Sequence, residues 1–224
     1  MTRIRRRIRR RAALSLLAAG ALAALLAGCG SSGSNQVQHV TATGPLRGVS
    51  SIPAPLQGAT APRIRQTDDR GGTLDTNALR GTPYAVTFLY ANCPDVCPLI
   101  TQEIVTSLKD IGGDAQRVAI VAVSVDPHGD TRENVASFLK RHGAPDNFHY
   151  VIGSQQQLKP VWRSYFAAPQ IPGDPESSHT AAIWLVDGQG RLRGKFDAGQ
   201  AFNPADLAHD FEVLLKNPAG TDAS

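Results

Sequence analysis

Tyr84-Ala-Val-Thr-Phe-Leu-Tyr-Ala-Asn-Cys-Pro-Asp-Val-Cys-Pro98 is the stretch whose reading decides the fold. Large apolar and β-branched residues alternate over Tyr84–Tyr90, which predicts a buried strand running straight into Cys93 and Cys97. Pro94 has no N–H to donate, and its fixed φ suits the first turn of a helix. Cys93 is therefore expected near a helix N-cap, where free backbone N–H groups and the helix dipole favour a thiolate. Four residues apart, the two sulfurs share one face of that turn. The pair alone admits three chemistries: a structural disulfide, a redox-cycling dithiol or a metal site.

Downstream, Pro98 to about Ile111 reads as a helix stopped by Gly112-Gly113. Val118–Val125 is a continuous β-branched run, as expected of a strand covered on both faces. A helix over Thr131–Arg141 is capped by Asp130 or Thr131 and closed by Gly143. Phe148–Ile152 is a short strand and Gln155–Phe166 a helix. Ala181–Val186 and Arg191–Phe196 form a hairpin about Asp187-Gly188-Gln189-Gly190, and Pro204–Leu215 is a closing helix. Upstream, Ile64–Thr67 and Thr73-Leu74 flank a Gly turn. The expected fold class is α/β, with helices on both faces of one sheet. The order resembles the thioredoxin plan with an N-terminal β-hairpin extension.

The first part of the chain reads as an address. Seven arginines and no acid fall within Met1–Arg11, followed by an Ala/Leu run to Ala27. A basic start and a short apolar stretch mark an export signal. A run of about 16 residues falls short of the roughly 20 that span a bilayer. Leu26-Ala27-Gly28-Cys29 resembles the bacterial lipobox, in which the cysteine is diacylated and becomes the first residue. The expected organisation is a signal over 1–28, lipidated Cys29 and a Gly/Ser/Pro-rich tether over 29–62, a folded domain over 63–216 and a disordered tail over 217–224. That places the protein outside the cytoplasm, anchored by lipid to the outer face of the bacterial cytoplasmic membrane. The chain's net charge of +4 comes from the signal, since removing its seven arginines leaves 16 Lys+Arg against 19 Asp+Glu, a net −3. No basic patch then remains to argue for nucleic acid. Nothing in the sequence points to an obligate dimer, so a monomer is expected.

Among the six histidines, His179 stands apart. It closes a Pro/Gly-rich loop from Pro169 and immediately precedes the strand Ala181–Val186. In a thioredoxin plan that strand neighbours the dithiol strand, so His179 could face Cys93 and Cys97. A surface loop histidine is the plainer alternative. His39 falls in the tether, and His128, His142, His149 and His209 read as surface or packing residues. Met1 is the only methionine, which excludes a thioether copper site in the mature chain. Two thiolates and one imidazole suit copper, whose Cu(I) form accepts low coordination and soft sulfur. Zinc would want a fourth ligand.

Leu89-Tyr-Ala-Asn-Cys-Pro-Asp-Val-Cys-Pro-Leu99, Val123-Ser-Val-Asp-Pro127, Asp130-Thr131 and Ser178-His179-Thr180 resemble the SCO/SenC copper chaperones of cytochrome c oxidase assembly. The resemblance implies one copper ion, Cu(I) or Cu(II), held by Cys93, Cys97 and His179, with the cysteines also able to form a reversible disulfide. It implies delivery of copper to the copper-bearing subunit of the oxidase, reduction of that centre's cysteines, or both. Asp126 and Asp130 match acidic positions near the site, although carboxylates suit harder metals. The rival is a metal-independent thiol–disulfide oxidoreductase using Cys93 and Cys97. CxxxC spacing, in place of CxxC, counts against that as the sole role. A peroxidase is weaker still, because the expected Thr-x-x-Cys has Tyr90 in the threonine's place.

Overall fold

The computed structural model describes residues 46–48, 59–169, 180–197 and 202–217. Seven strands form one mixed sheet in the order β2-β1-β5-β4-β3-β6-β7. They are β1 (Arg65–Asp68), β2 (Thr73–Asp75), β3 (Tyr84–Leu89), β4 (Ala119–Ser124), β5 (Phe148–Ile152), β6 (Ala182–Val186) and β7 (Leu192–Asp197). The central strands β3, β4 and β5 run parallel, and β6 returns antiparallel beside β3. Every residue of β3, β4 and β6 is buried, the signature of strands covered on both faces. The thioredoxin-like α/β expectation holds.

Helices α1 (Val96–Asp110), α2 (Arg132–Arg141), α3 (Gln155–Ser164) and α4 (Pro204–Lys216) supply the covering layers. The pairing registers put Phe88 and Trp184 on one face and Thr87, Ala122 and Tyr150 on the other. Tyr165, at the end of α3, lies 5.8 Å from Phe88 and 6.0 Å from Trp184, ring to ring. Phe138 of α2 lies 6.5 Å from Tyr150. Thus α2 and α3 cover opposite faces. Helix α1 packs against α4, and its Gln102 reaches His142 at the end of α2, so it joins the α2 face.

Element ends depart from expectation for local reasons. Helix α1 begins at Val96, two residues before Pro98, because a proline at the third helical position lacks only an N–H that would find no intrahelical partner. Thr131, not Asp130, caps α2, accepting the Asn134 N–H. Helix α3 stops at Ser164, since Phe166 adopts a left-handed backbone (φ 54°) that no helix continues. After α1 the chain tightens into a 3₁₀ helix over Gly112–Arg117.

The outer edge of β7 is covered by chain from the stretch read as tether. The Leu192 N–H donates to the Ala59 carbonyl and the Lys195 N–H to the Gly48 carbonyl. Both Arg47 and Gly48 donate their N–H groups to the carboxylate of Asp210 on α4, each at 2.8 Å. Two glycines permit this approach: a Cβ at Gly194 would meet the Gly48 carbonyl oxygen at 2.5 Å, and one at Gly48 the Phe196 ring at 2.4 Å. The tether expected over 29–62 therefore does not run free to its end. Leu46–Gly48 and the chain from Ala59 onward lie against the sheet, which blunts an edge strand otherwise open to pairing. Cys29, His39 and the signal lie outside the described residues, as do His179 and all of the tail beyond Asn217.

Candidate metal centre

Strand β3 ends at Leu89, whose carbonyl accepts the Val125 N–H across the sheet. A turn then carries the chain over the sheet end, closed by the Cys93 N–H donating to the Tyr90 carbonyl at 3.2 Å. Cys93 is not itself the cap of α1. Asp95 occupies that position without a capping side-chain bond. Instead the Cys93 sulfur accepts the Cys97 N–H at 3.3 Å, so a sulfur takes the orphan donor that a capping oxygen would usually take. Both cysteines are buried, and no disulfide joins them.

The two sulfurs differ in surroundings. Cys97 is wholly buried in the first turn of α1, and Cys93 is 7 % exposed. Burial, then the hydrogen bond and charge of Cys93, push the Cys97 thiol far above its ordinary pKa, against a backbone hydrogen bond from Tyr90 that lowers it. Desolvation thus outweighs the Tyr90 backbone hydrogen bond at Cys97. The Tyr90 phenol shares the site. Burial, and after it the neighbouring Cys93 sulfur, raises its pKa well above the usual tyrosine value.

Beneath the cysteine turn lies Asp130, 5 % exposed. Its Oδ1 accepts the Ala91 N–H at 2.7 Å, and its Oδ2 accepts the hydroxyls of Ser124 (2.6 Å) and Tyr150 (3.0 Å). Burial raises the carboxyl to a pKa of about 6, outweighing those three donors. This carboxylate ties the turn that leads to Cys93 to the end of β4 and the middle of β5. It is a brace, as its occupied oxygens show, and the cap role expected for it belongs to Thr131. Asp126 accepts the His128 and Gly129 N–H groups and shapes the neighbouring loop. A Cβ at Gly129 would fall 2.2 Å from the Asp126 carboxylate.

Among the described residues no three His, Cys, Asp or Glu side chains converge as a metal site. Two soft sulfurs side by side are what those residues offer to a metal, and they suit a thiophilic ion. Antiparallel pairing brings the start of β6, just after Thr180, to the same end of the sheet as the cysteines. Thr180 is clasped to Ala168, accepting that residue's N–H through Oγ1 at 2.9 Å. The remaining described histidines match the packing or surface reading: His209 is buried beside Asp210, and His128 is exposed.

Sequence reasoning missed the Ser124–Asp130–Tyr150 cluster and the closeness of the Tyr90 phenol to Cys93. Ser124 breaking the β-branched run of β4, and Tyr150 in the apolar strand β5, were the available signals.

The SCO1/SenC family model matches residues 55–216. The SCO1 protein homolog of Bacillus subtilis is 26% identical over 149 residues, covering 65% of this chain and 77% of that protein. The copper-bound structure of Bradyrhizobium japonicum ScoI is 30% identical, covers 70% of this chain and 100% of its own, and superposes with a TM-score of 0.59. A SCO1/SenC family lipoprotein from Bacillus anthracis shares the fold at 22% identity and a TM-score of 0.63, over 70% of this chain and 95% of its own. Among the described residues no helix is long and apolar enough to cross a membrane.

Proposed function

We propose, for a chain that belongs to the SCO1/SenC family, the role of a copper carrier held outside the cytoplasm by lipid on Cys29. Cys93, Cys97 and His179 are its ligands and one copper ion is its cargo. The observation that carries this reading is the pairing of β3 with β6. It sets the buried dithiol and the segment that follows His179 at one end of the sheet. The ScoI relative has been solved with copper bound, and the Sco family is one of cytochrome c oxidase assembly proteins. The recipient proposed here is accordingly the copper-bearing subunit of that oxidase. The lipoprotein relative supports the anchor.

Copper capture needs two thiolates and a neutral imidazole, so binding expels protons and weakens as pH falls. Burial raises the Cys97 thiol, so deprotonating it adds to that competition. Joining the sulfurs in a disulfide removes both electron-pair donors, so oxidation to the disulfide releases or forbids the metal. The same pair could reduce a partner's disulfide without metal, becoming a disulfide itself, which is the second reading. CxxxC spacing still counts against that as the sole activity.

Anaerobic titration of the reduced protein with Cu(I) tests the carrier. One tight equivalent per chain is expected, weakened by at least about 100-fold in His179→Ala, the upper range for losing even an outer partner of a ligand. Unchanged binding in His179→Ala contradicts the three-ligand site. Absence of tight binding in the native protein, with disulfide reduction intact, leaves the oxidoreductase.

A further inference from the structure

The segment Leu46–Gly48 is held more firmly than an edge cover requires, and it stores chain. Its backbone takes both oxygens of the Asp210 carboxylate: the Arg47 N–H donates to Oδ1 and the Gly48 N–H to Oδ2, each at 2.8 Å. The Gly48 carbonyl accepts the Lys195 N–H at 2.9 Å, and the Arg47 guanidinium meets Asp206 at 2.8 Å. His209 steadies Asp210 from within α4, its Nδ1 lying 3.0 Å from Oδ1. The next hold among the described residues is Ala59, whose carbonyl accepts the Leu192 N–H. Leu192 and Lys195 are three residues apart, roughly 10 Å along a strand, yet ten residues of chain separate Gly48 from Ala59. Closing that surplus into a loop costs entropy, which the paired amide–carboxylate bonds offset.

We propose that Leu46–Gly48 is a releasable strap: clasped on Asp210 it takes up slack in the chain between Cys29 and the domain, and opened it lets the domain stand further from the membrane. Cys29 is 17 residues from Leu46 and 30 from Ala59. At about 3.5 Å per residue, the chain reaches at most about 60 Å from its anchor when clasped and about 105 Å when opened. The strap opens locally, because the bonds it gives up are its own. Ala59 to Ala61 keep their place on the sheet through Leu192, Arg191 and Gly190. Such a change of reach suits a carrier whose donor and recipient face it at different heights above the bilayer. It rests on the lipid anchor proposed above; the clasp does not, and neither depends on copper.

Trypsin reads the clasp directly. No Lys or Arg lies between Cys29 and Arg47, so the first tryptic bond after the anchor is Arg47–Gly48, and the clasp engages both its backbone and its arginine. Mature full-length protein bound to phosphatidylcholine vesicles is treated with trypsin, and the released domain is weighed by mass spectrometry. A domain beginning at Gly48 reports the strap, and one beginning at Ile64 reports a cut after Arg63. Cleavage after Arg47 tracks the opened population. Gly48→Ala, whose Cβ would fall 2.4 Å from the Phe196 ring, and Asp210→Asn, which removes the charged acceptor, are each expected to speed it about tenfold, the size of one hydrogen bond to a charged group. Gly48→Ala alters the strap alone, so it decides should Asp210→Asn fail to fold. Neutron reflectometry on a supported bilayer should show the protein layer shifted outward in Gly48→Ala. Rates within about twofold of native in every folded variant, or a faster cut with an unmoved layer, overturn the proposal. A mature chain without acyl mass on Cys29 removes the anchor and the change of reach together, while the copper titration decides the cargo separately.

Discussion

Asp130 and Asp187 are both buried carboxylates, and the difference in their company separates a working corner from a structural one. Asp187 sits in the β6–β7 turn with no exposed surface. It accepts the Gln189 and Arg191 N–H groups at 2.9 Å each and faces the guanidinium groups of Arg191 and Arg193 at 3.2 and 3.4 Å. Its charge is met by charge. Asp130 lies under the cysteines, and its donors are an amide and two neutral hydroxyls. Such a site costs stability when ionised, and it is retained where it holds the dithiol turn against β4 and β5. A buried carboxylate answered by arginine fastens the fold; one answered only by neutral donors braces the site.

The largest effect should come from the arginine-matched corner. Asp187→Ala removes two backbone acceptors and the partner of two guanidinium groups, and should lower the urea-derived unfolding free energy by about 4 kcal/mol. A loss below about 1 kcal/mol would erase the distinction drawn here.

A smaller effect of different character is expected at Asp130. Its folded pKa of about 6 lies above the ordinary aspartate value of 3.8. Its contribution to stability is thus full below about pH 4 and is lost as pH rises through 6. At about 1.36 kcal/mol per unit, this amounts to at most about 3 kcal/mol. Unfolding measured from pH 4 to 7 should lose that component in Asp130→Asn. An identical pH profile in the variant would show that Asp130 does not titrate with folding.

The smallest effect should appear where a carboxylate meets arginine in water. Asp114 pairs with Arg117 at 2.8 Å, both side chains more than half exposed. Asp114→Asn should change stability by less than about 1 kcal/mol, and added salt should shrink even that. A larger loss would mean that pairing with arginine matters more than burial.

How much was legible follows from how far apart the relevant residues lie in sequence. Strand β5 was expected over the residues it occupies, and the buried central strands announced themselves as apolar runs. The cysteines were legible because four residues suffice to bring them together. The brace was not, because Ala91, Ser124, Asp130 and Tyr150 come from four separate places that only the folded sheet unites. Asp130-Thr131 looked like a helix cap, and Thr131 alone serves as one. Tyr90 carries no comparable signal in the sequence, since strand periodicity says nothing about which groups surround a hydroxyl at the strand's end. The chain covering β7 carries no apolar periodicity, so composition read it as tether, while glycines and a distant carboxylate dock part of it.

The central claim is that one copper ion is held by two neighbouring sulfurs and one imidazole. X-ray absorption at the copper edge of the loaded protein tests it most directly. The account predicts two sulfur neighbours together with the multiple-scattering pattern of a single imidazole, the latter vanishing in His179→Ala. An imidazole pattern that persists in that variant, or a copper surrounded by sulfur alone in the native protein, would contradict it.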